Sequence, residues 1–178
     1  MIDSQENRIA LRPLTENDIG DDYVSWFSDA LVTEFLDSSK FTRDDAIAYL
    51  EHGRATNTYY MYAVIDIESD VHIGNVKIGP INWLHMTSDL ITVIGRREYW
   101  GKGYAVEAIK AGNKIAFETY KIRKLCGGIA DGNEGSVKAY TRAGWVVEAR
   151  LKGHHLINGT PRDRIVVSYF NPAFFSQA

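Results

Sequence analysis

The 178-residue chain has a single cysteine, Cys126, and four prolines. One thiol rules out an intrachain disulfide and a cysteine-built zinc site. It lies in Lys124-Leu125-Cys126-Gly127-Gly128-Ile129, which reads as a strand. Burial and inertness are expected of it, because free cysteine usually behaves as a small hydrophobe. Positive charge is not in excess: 20 Lys and Arg stand against 23 Asp and Glu, for a net charge of -3. That argues against a nucleic-acid binder relying on a bulk positive field. No apolar run reaches the roughly 20 residues of a membrane-spanning helix. The segment Met1 to Arg8 is polar and lacks the apolar core of a signal peptide. A cytoplasmic protein without membrane contact is therefore expected. Asn158-Gly159-Thr160 fits a glycosylation sequon but, without a secretory signal, reads as a hairpin turn. Repeats, low-complexity tracts and linkers are also missing, so one domain is expected.

With 45% hydrophobic and 24% charged residues, the composition is that of an ordinary globular protein. Arg8 to Leu14 alternates charged and apolar residues as a strand does, and Pro13 suits a sheet edge. Thr15-Glu16-Asn17-Asp18 reads as a helix entry capped by Thr15, with Tyr23, Trp26 and Phe27 following at helical spacing. A second helix is predicted from Arg43 to His52, with Ala46, Ile47 and Leu50 as its apolar stripe. Tyr60 to Ile65 and Val71 to Ile78 form a predicted hairpin around Glu68-Ser69-Asp70, and Pro80 to His85 an irregular loop. Then come a strand from Thr87 to Ile94, a long helix from Gly103 to Tyr120, a strand from Lys124 to Ala130 and a helix from Glu134 to Ala143. Strands Trp145 to Leu151 and Asp163 to Phe170 close the chain. This order implies an α+β domain with helices packed on a mixed, mostly antiparallel sheet.

Two blocks carry chemistry. Tyr99-Trp100-Gly101-Lys102-Gly103-Tyr104-Ala105 follows the apolar run Leu90 to Ile94 and opens the long helix. A strand that breaks into a glycine turn and then a helix offers unpartnered N–H groups to an anion. Glycines there tolerate positive φ and close approach of a ligand. Arg96, Arg97 and Lys102 cluster around this turn, where they suit a polyphosphate. In the second block, Asn133 caps a helix, and Asn133, Ser136 and Tyr140 recur at i, i+3 and i+7 on one face. An amide, a hydroxyl and a phenol thus face one extended ligand; Gly144 ends the helix and Trp145 starts the next strand.

Together the blocks resemble the GCN5-related N-acetyltransferase superfamily. The phosphate loop of that family falls on Trp100-Gly101-Lys102-Gly103-Tyr104-Ala105, with Trp in the place of the usual Gln or Arg. That departure, the Asn133, Ser136, Tyr140, Gly144 and Trp145 pattern and the tail from Gly153 to Asp163 are similar to the ribosomal-protein alanine acetyltransferases. The resemblance implies a single N-acetyltransferase domain over residues 1–178, with 1–86 mainly on the acceptor side and 87–178 forming the acetyl-CoA site and closing strands. It implies that the backbone of Thr92, Val93 and Ile94 meets the pantetheine arm. Trp100, Gly101, Lys102, Gly103, Tyr104 and Ala105 then surround the pyrophosphate, with Asn133 and Ser136 on the pantetheine side. Tyr140 is expected to donate a proton to the leaving thiolate, with no metal required.

A lysine-like amine of pKa about 10.4 must lose a proton before attack, at roughly 4–5 kcal/mol at pH 7, against about 1 kcal/mol for an α-amine near 7.7–8.0. A base helps, and Asp89 on the strand leading into the loop is the preferred candidate. His85, His154 and His155 compete with it, or a water relays the proton. Glu98 reads as a surface charge. For the acceptor, Trp83, His85 and His154 are the side chains singled out, with Asn75, Lys77 and Asn82 as further polar contacts. The acceptor is read as a small amino sugar or related metabolite; a protein N-terminus is the alternative. A non-catalytic acyl-CoA-binding module is a third reading. The resemblance also admits a homodimer.

Overall fold

The computed structural model describes residues 7–36, 41–157 and 159–175. Seven strands form one sheet: β1 (Ile9–Pro13), β2 (Tyr60–Asp66), β3 (Val71–Asn82), β4 (Thr87–Ile94), β5 (Lys124–Ala130), β6 (Val146–Ile157) and β7 (Thr160–Phe170). Their order is β1-β2-β3-β4-β5-β7-β6, and only the β4–β5 contact is parallel. The helices are α1 (Asp21–Trp26), α2 (Ala30–Thr33), α3 (Arg43–Thr56), α4 (Tyr104–Glu118) and α5 (Glu134–Arg142). None of them is long and apolar enough to cross a membrane.

Both faces of the sheet are covered over its first half, and β2 shows this in its sequence. Tyr62 and Val64 join a core with Val76, Leu90, Ile109 and Leu125, while Ala63 and Ile65 join a second core with Leu14, Tyr23, Trp26 and Leu50. A strand buried on both faces loses polar alternation and reads as a continuous apolar run, as Tyr-Met-Tyr-Ala-Val-Ile does. On the first side α4 packs so closely that a Cβ at Gly112 would fall 2.9 Å from Leu90 Cδ1 and 3.0 Å from Val76 Cγ1. The α1–α3 layer covers β2 and reaches Val93 but contributes nothing over β5 and β7. That half of the face stays open, so Cys126 is half-buried there and not enclosed as expected.

Several boundaries shift for local reasons. Thr15 and Asp18 do form a capping box, but on a single 3-10 turn that precedes α1. Thr42 and Asp45 form another at α3, which runs four residues beyond His52 to Thr56. The four-residue α2, capped by the Asp29 side chain, is too short to show periodicity. The expected loop at Pro80 starts later: β3 continues to Asn82 through a register shift between Ile78 and Ile81. The Ile81 amide donates to the Thr58 carbonyl at 2.8 Å. β6 and β7 run on to a tight turn in which Gly159 takes φ +75°. Met1 to Glu6 and Asn158, drawn on above, lie outside the described residues.

Candidate active site

The parallel pairing of β4 with β5 lasts three residues, Thr87–Asp89 against Lys124–Cys126. Beyond it the strands part, and Leu90–Ile94 keeps only its β3 partner. Tyr140 of α5 reaches into this opening from the α4 side, fully buried, and its hydroxyl donates to the Leu90 carbonyl at 2.8 Å. A cavity of about 470 Å³ runs from here to the glycine turn. It is lined by Thr92, Val93 and Ile94, by Trp100, Gly101, Gly103, Tyr104 and Ala105, and by Asn133, Ser136 and Tyr140. The two sequence blocks therefore meet in one cleft.

The turn is shaped to present amides. Gly101 and Gly103 adopt φ +73° and +91°, the left-handed region that glycine enters without penalty. Val106 and Glu107 donate to the Gly103 carbonyl, whereas the amides of Gly101 to Ala105 make no hydrogen bond among the described residues. They stand at the start of a 15-residue helix, where the dipole favours negative charge. The turn is bolted from the far end of the chain. Arg8 pairs with Glu107, donates to the Lys102 carbonyl at 3.0 Å and lies 4.4 Å over the Tyr104 ring. Tyr104 in turn donates to Asp66 at 3.1 Å. Lys102 contributes backbone to the turn, and its side chain is outside the cavity lining.

Trp100 has a structural part: its indole N–H donates to the Ile94 carbonyl at 2.7 Å and ties the turn to β4. The expectation that Arg96 and Arg97 serve a polyphosphate is corrected. Arg96 pairs with Asp22 at 2.6 Å and Arg97 with Asp29 at 3.3 Å, so both hold α1 and α2 to the sheet. Glu98 is a surface charge 3.7 Å from Arg96. Among the described residues, the cationic side chains that line the cavity are Lys138, paired with Glu134 at 3.1 Å, and Arg142, one turn further along α5.

Asn133 uses its carboxamide oxygen to cap α5, accepting from the Ser136 amide at 3.1 Å, which leaves its NH2 free toward the cavity. The Thr92 hydroxyl is buried without a hydrogen-bond partner. Burial pushes the Tyr140 phenol up, hydrogen bonding from Thr92 pulls partly the other way, and nearby Asp89 adds to the rise. The phenol stays protonated at neutral pH. Asp89 is on the opposite side of β4 from Tyr140's partner Leu90 by strand alternation. Burial raises its carboxyl above the ordinary 3.8, with Arg164 and Lys77 pulling it partly back.

Asp89 and the expected acceptor contacts Trp83 and His85 all lie outside this lining. Trp83 and His85 occupy the turn before Thr87, at the end of β4 away from the glycine turn, and neither lines the cavity. The Trp83 indole donates to the Asn57 carbonyl at 2.8 Å, and the ring meets Tyr120 edge-on. The His85 carbonyl accepts from Arg123 at 2.8 Å. His154 instead lies 3.4 Å from Arg164, whose charge acts on Asp89. Asn82 caps the His85 turn, and Asn75 is buried beside His72. The α2 segment, which supplies Leu31, Val32, Glu34, Phe35 and Leu36 to the cavity wall, was not foreseen; Asp29 was its one local signal.

The model for the acetyltransferase (GNAT) domain matches residues 8–146, most of the chain. The chain belongs to the GNAT acetyltransferase family. Among this GNAT chain's relatives, spermidine N(1)-acetyltransferase of Escherichia coli K12 is 29% identical over 104 residues, which cover 58% of this chain and 55% of that protein. A probable N-acetyltransferase of Bacillus subtilis is 26% identical over 113 residues, 64% of this chain and 62% of that one. The chain thus matches little more than half the length of these relatives. The spermidine N-acetyltransferase of Vibrio cholerae, solved with CoA and spermine, superposes with a TM-score of 0.83 at 21% identity, over 93% of this chain and 96% of that one. A dodecameric structure of the same enzyme gives 0.79 at 20% identity, over 96% and 98%. The GNAT fold is confirmed. The narrower likeness to ribosomal-protein acetyltransferases is not what these relatives carry.

Proposed function

We propose that this GNAT chain transfers the acetyl group of acetyl-CoA to the primary amine of a small molecule. One observation carries the reading: a turn of free amides and a protonated tyrosine converge on a single cleft where β4 leaves β5. The residues present fit the co-substrate. Gly101 to Ala105 offer amides to a pyrophosphate, Arg142 adds a positive charge to the same cavity, and the unpaired edge of Thr92–Ile94 extends like a strand awaiting a neighbour. Acetyl-CoA supplies an activated acetyl group, so that an amide forms and a thiol leaves.

The protein's own part is to hold two protons. Asp89 takes one from the incoming ammonium, and its raised pKa makes it a stronger base than an exposed aspartate. Tyr140 holds the other. A phenol raised above its usual value of about 10 is a poor acid toward a thiol near 8.5. It therefore acts chiefly as a hydrogen-bond donor to the sulfur as negative charge develops, exchanging the Leu90 carbonyl for the thiolate. The second proton that the amine nitrogen loses as the amide forms converts the departing thiolate to the thiol. Small-molecule amines are the acceptors named for the spermidine enzymes, and that class is extended here. The acceptors those enzymes' names give are polyamines and not amino sugars. Self-association is retained from the sequence reading, one spermidine acetyltransferase being dodecameric.

The test is thiol release from acetyl-CoA against spermidine, free and nucleotide-linked amino sugars, and Ala- and Ser-starting peptides. Turnover with a small amine supports the reading, whereas tight acetyl-CoA binding without turnover makes the chain a binding module. Two further results are expected. Since Asp89 works ionised and its pKa is raised, kcat/KM falls as pH drops through a value above 3.8, and Asp89→Asn removes that acid limb. Arg142→Ala weakens acetyl-CoA binding about three- to tenfold at low ionic strength, and titration in rising salt narrows the gap.

A further inference from the structure

The open face of the cleft carries charge that the transfer step does not use. Asp89 and Ile91 of β4 share that face, with Lys77 opposite Ile91 and Cys126 opposite Asp89 in the strand registers. Gly128 continues the face two residues beyond Cys126. Because it has no side chain, the guanidinium of Arg164 lies across it: a Cβ at position 128 would fall 2.0 Å from Arg164 Nε. Arg164 itself stands opposite Ala130 on β7, so it leans along β5 toward the end of the strand that pairs with Asp89.

Neither cation has an ion-pair partner among the described residues, and the charge of each is felt by the Asp89 carboxyl. Among the described residues no carboxylate lies within 4.0 Å of Lys77 or Arg164. Lys77 donates to the Tyr49 hydroxyl at 2.8 Å, and Arg164 Nε is buried with no partner. Neighbouring charges are spent on one another: Lys124 on Glu148 at 2.7 Å, and Arg150 on Asp131 at 3.0 Å and Asp163 at 2.6 Å. Among the described residues the approach to Asp89 therefore holds two cations without an ion-pair partner, Lys77 resting 5.4 Å over the Tyr49 and Tyr59 rings and Arg164 beside His154. A polyamine would bring more positive charge to this face. With Nε covered by the Gly128 strand, the terminal nitrogens of this planar guanidinium are instead matched to a carboxylate or phosphate.

We propose that the amine acceptor carries an anionic group, a carboxylate or a phosphate, which Arg164 binds while its amine faces Asp89, with Lys77 adding positive charge from across the cleft. This rests on the acetyl-transfer reading above and gives its acceptor a charge. It is tested by thiol release with matched amines: glucosamine against glucosamine 6-phosphate, ethanolamine against phosphoethanolamine, and alanine amide against alanine, with spermidine alongside. The anionic member of at least one pair is expected to have the higher kcat/KM by tenfold or more, and the pair that responds tells phosphate from carboxylate. Arg164→Gln should reduce that preference about 10- to 100-fold, mainly through KM, with Arg164→Lys recovering part of it. Lys77→Gln, on the other side of the cleft, should reduce it less and carries the test if Arg164→Gln does not fold. Equal or better turnover of spermidine and the neutral amines overturns the proposal alone. So does an anion preference that survives both substitutions. Acetyl-CoA binding with no turnover of any amine overturns the acetyl-transfer reading, and this proposal with it.

Discussion

Tyr140→Phe is expected to lower the rate of acetyl transfer about 100-fold while leaving acetyl-CoA affinity within about twofold. The ring remains, so its packing against Trp145 at 4.8 Å and its place in the cavity wall are kept. Only the hydroxyl goes, and with it the donor that reaches the Leu90 carbonyl at the opening between β4 and β5. A second consequence separates this role from a purely structural one. The Leu90 carbonyl loses its partner, a loss of about 1 kcal/mol of stability. That is far too little to account for a hundredfold fall in rate, so the variant should remain folded and bind co-substrate. Rapid-mixing rates, a binding titration and a denaturant midpoint on the same preparation check all three. A kcat within threefold of wild type would remove Tyr140 from the mechanism.

The second large effect is expected at Gly103. Its φ of +91° is closed to β-branched residues, and left-handed backbone costs L-residues roughly 1–2 kcal/mol. A Cβ there also meets Arg8 Nη2 at 3.3 Å, where Arg8 holds the Lys102 carbonyl and Glu107. Gly103→Val should therefore turn the backbone and disperse the amides of Gly101 to Ala105. Acetyl-CoA Kd is expected to rise about 10- to 30-fold, the strain expressed as affinity. Isothermal titration with acetyl-CoA measures it. Gly101 is the informative comparison, because φ is +73° but nothing lies within 4 Å of its Cβ direction. Gly101→Ala should show the conformational cost without the clash, and so a smaller loss.

Much of the fold and half of the site could be read locally. The glycine turn and the Asn133, Ser136 and Tyr140 helix face are each set within about ten residues, and β4 and β5 fall on the predicted bounds. What could not be read depends on distant partners. Arg8 reaches the turn across 99 residues of sequence. Arg96 and Arg97 looked free beside the turn because Asp22 and Asp29, their partners, arrive from helices about 70 residues earlier. Trp83 and His85 follow Lys77 closely in sequence, yet the extension of β3 through Pro80 carries them to the other end of β4. Gly128 gives the converse case: it looks like a weak point in a strand, and only the sheet order brings Arg164 across it.

The most direct measurement follows an isotopically labelled acetyl group from acetyl-CoA into an amine, with amide product by mass spectrometry and thiol by colour reaction in one tube. One labelled amide per thiol released, lost in Tyr140→Phe, is the predicted result. Thiol release without amide, or labelled amide formed equally well by Tyr140→Phe, would contradict it.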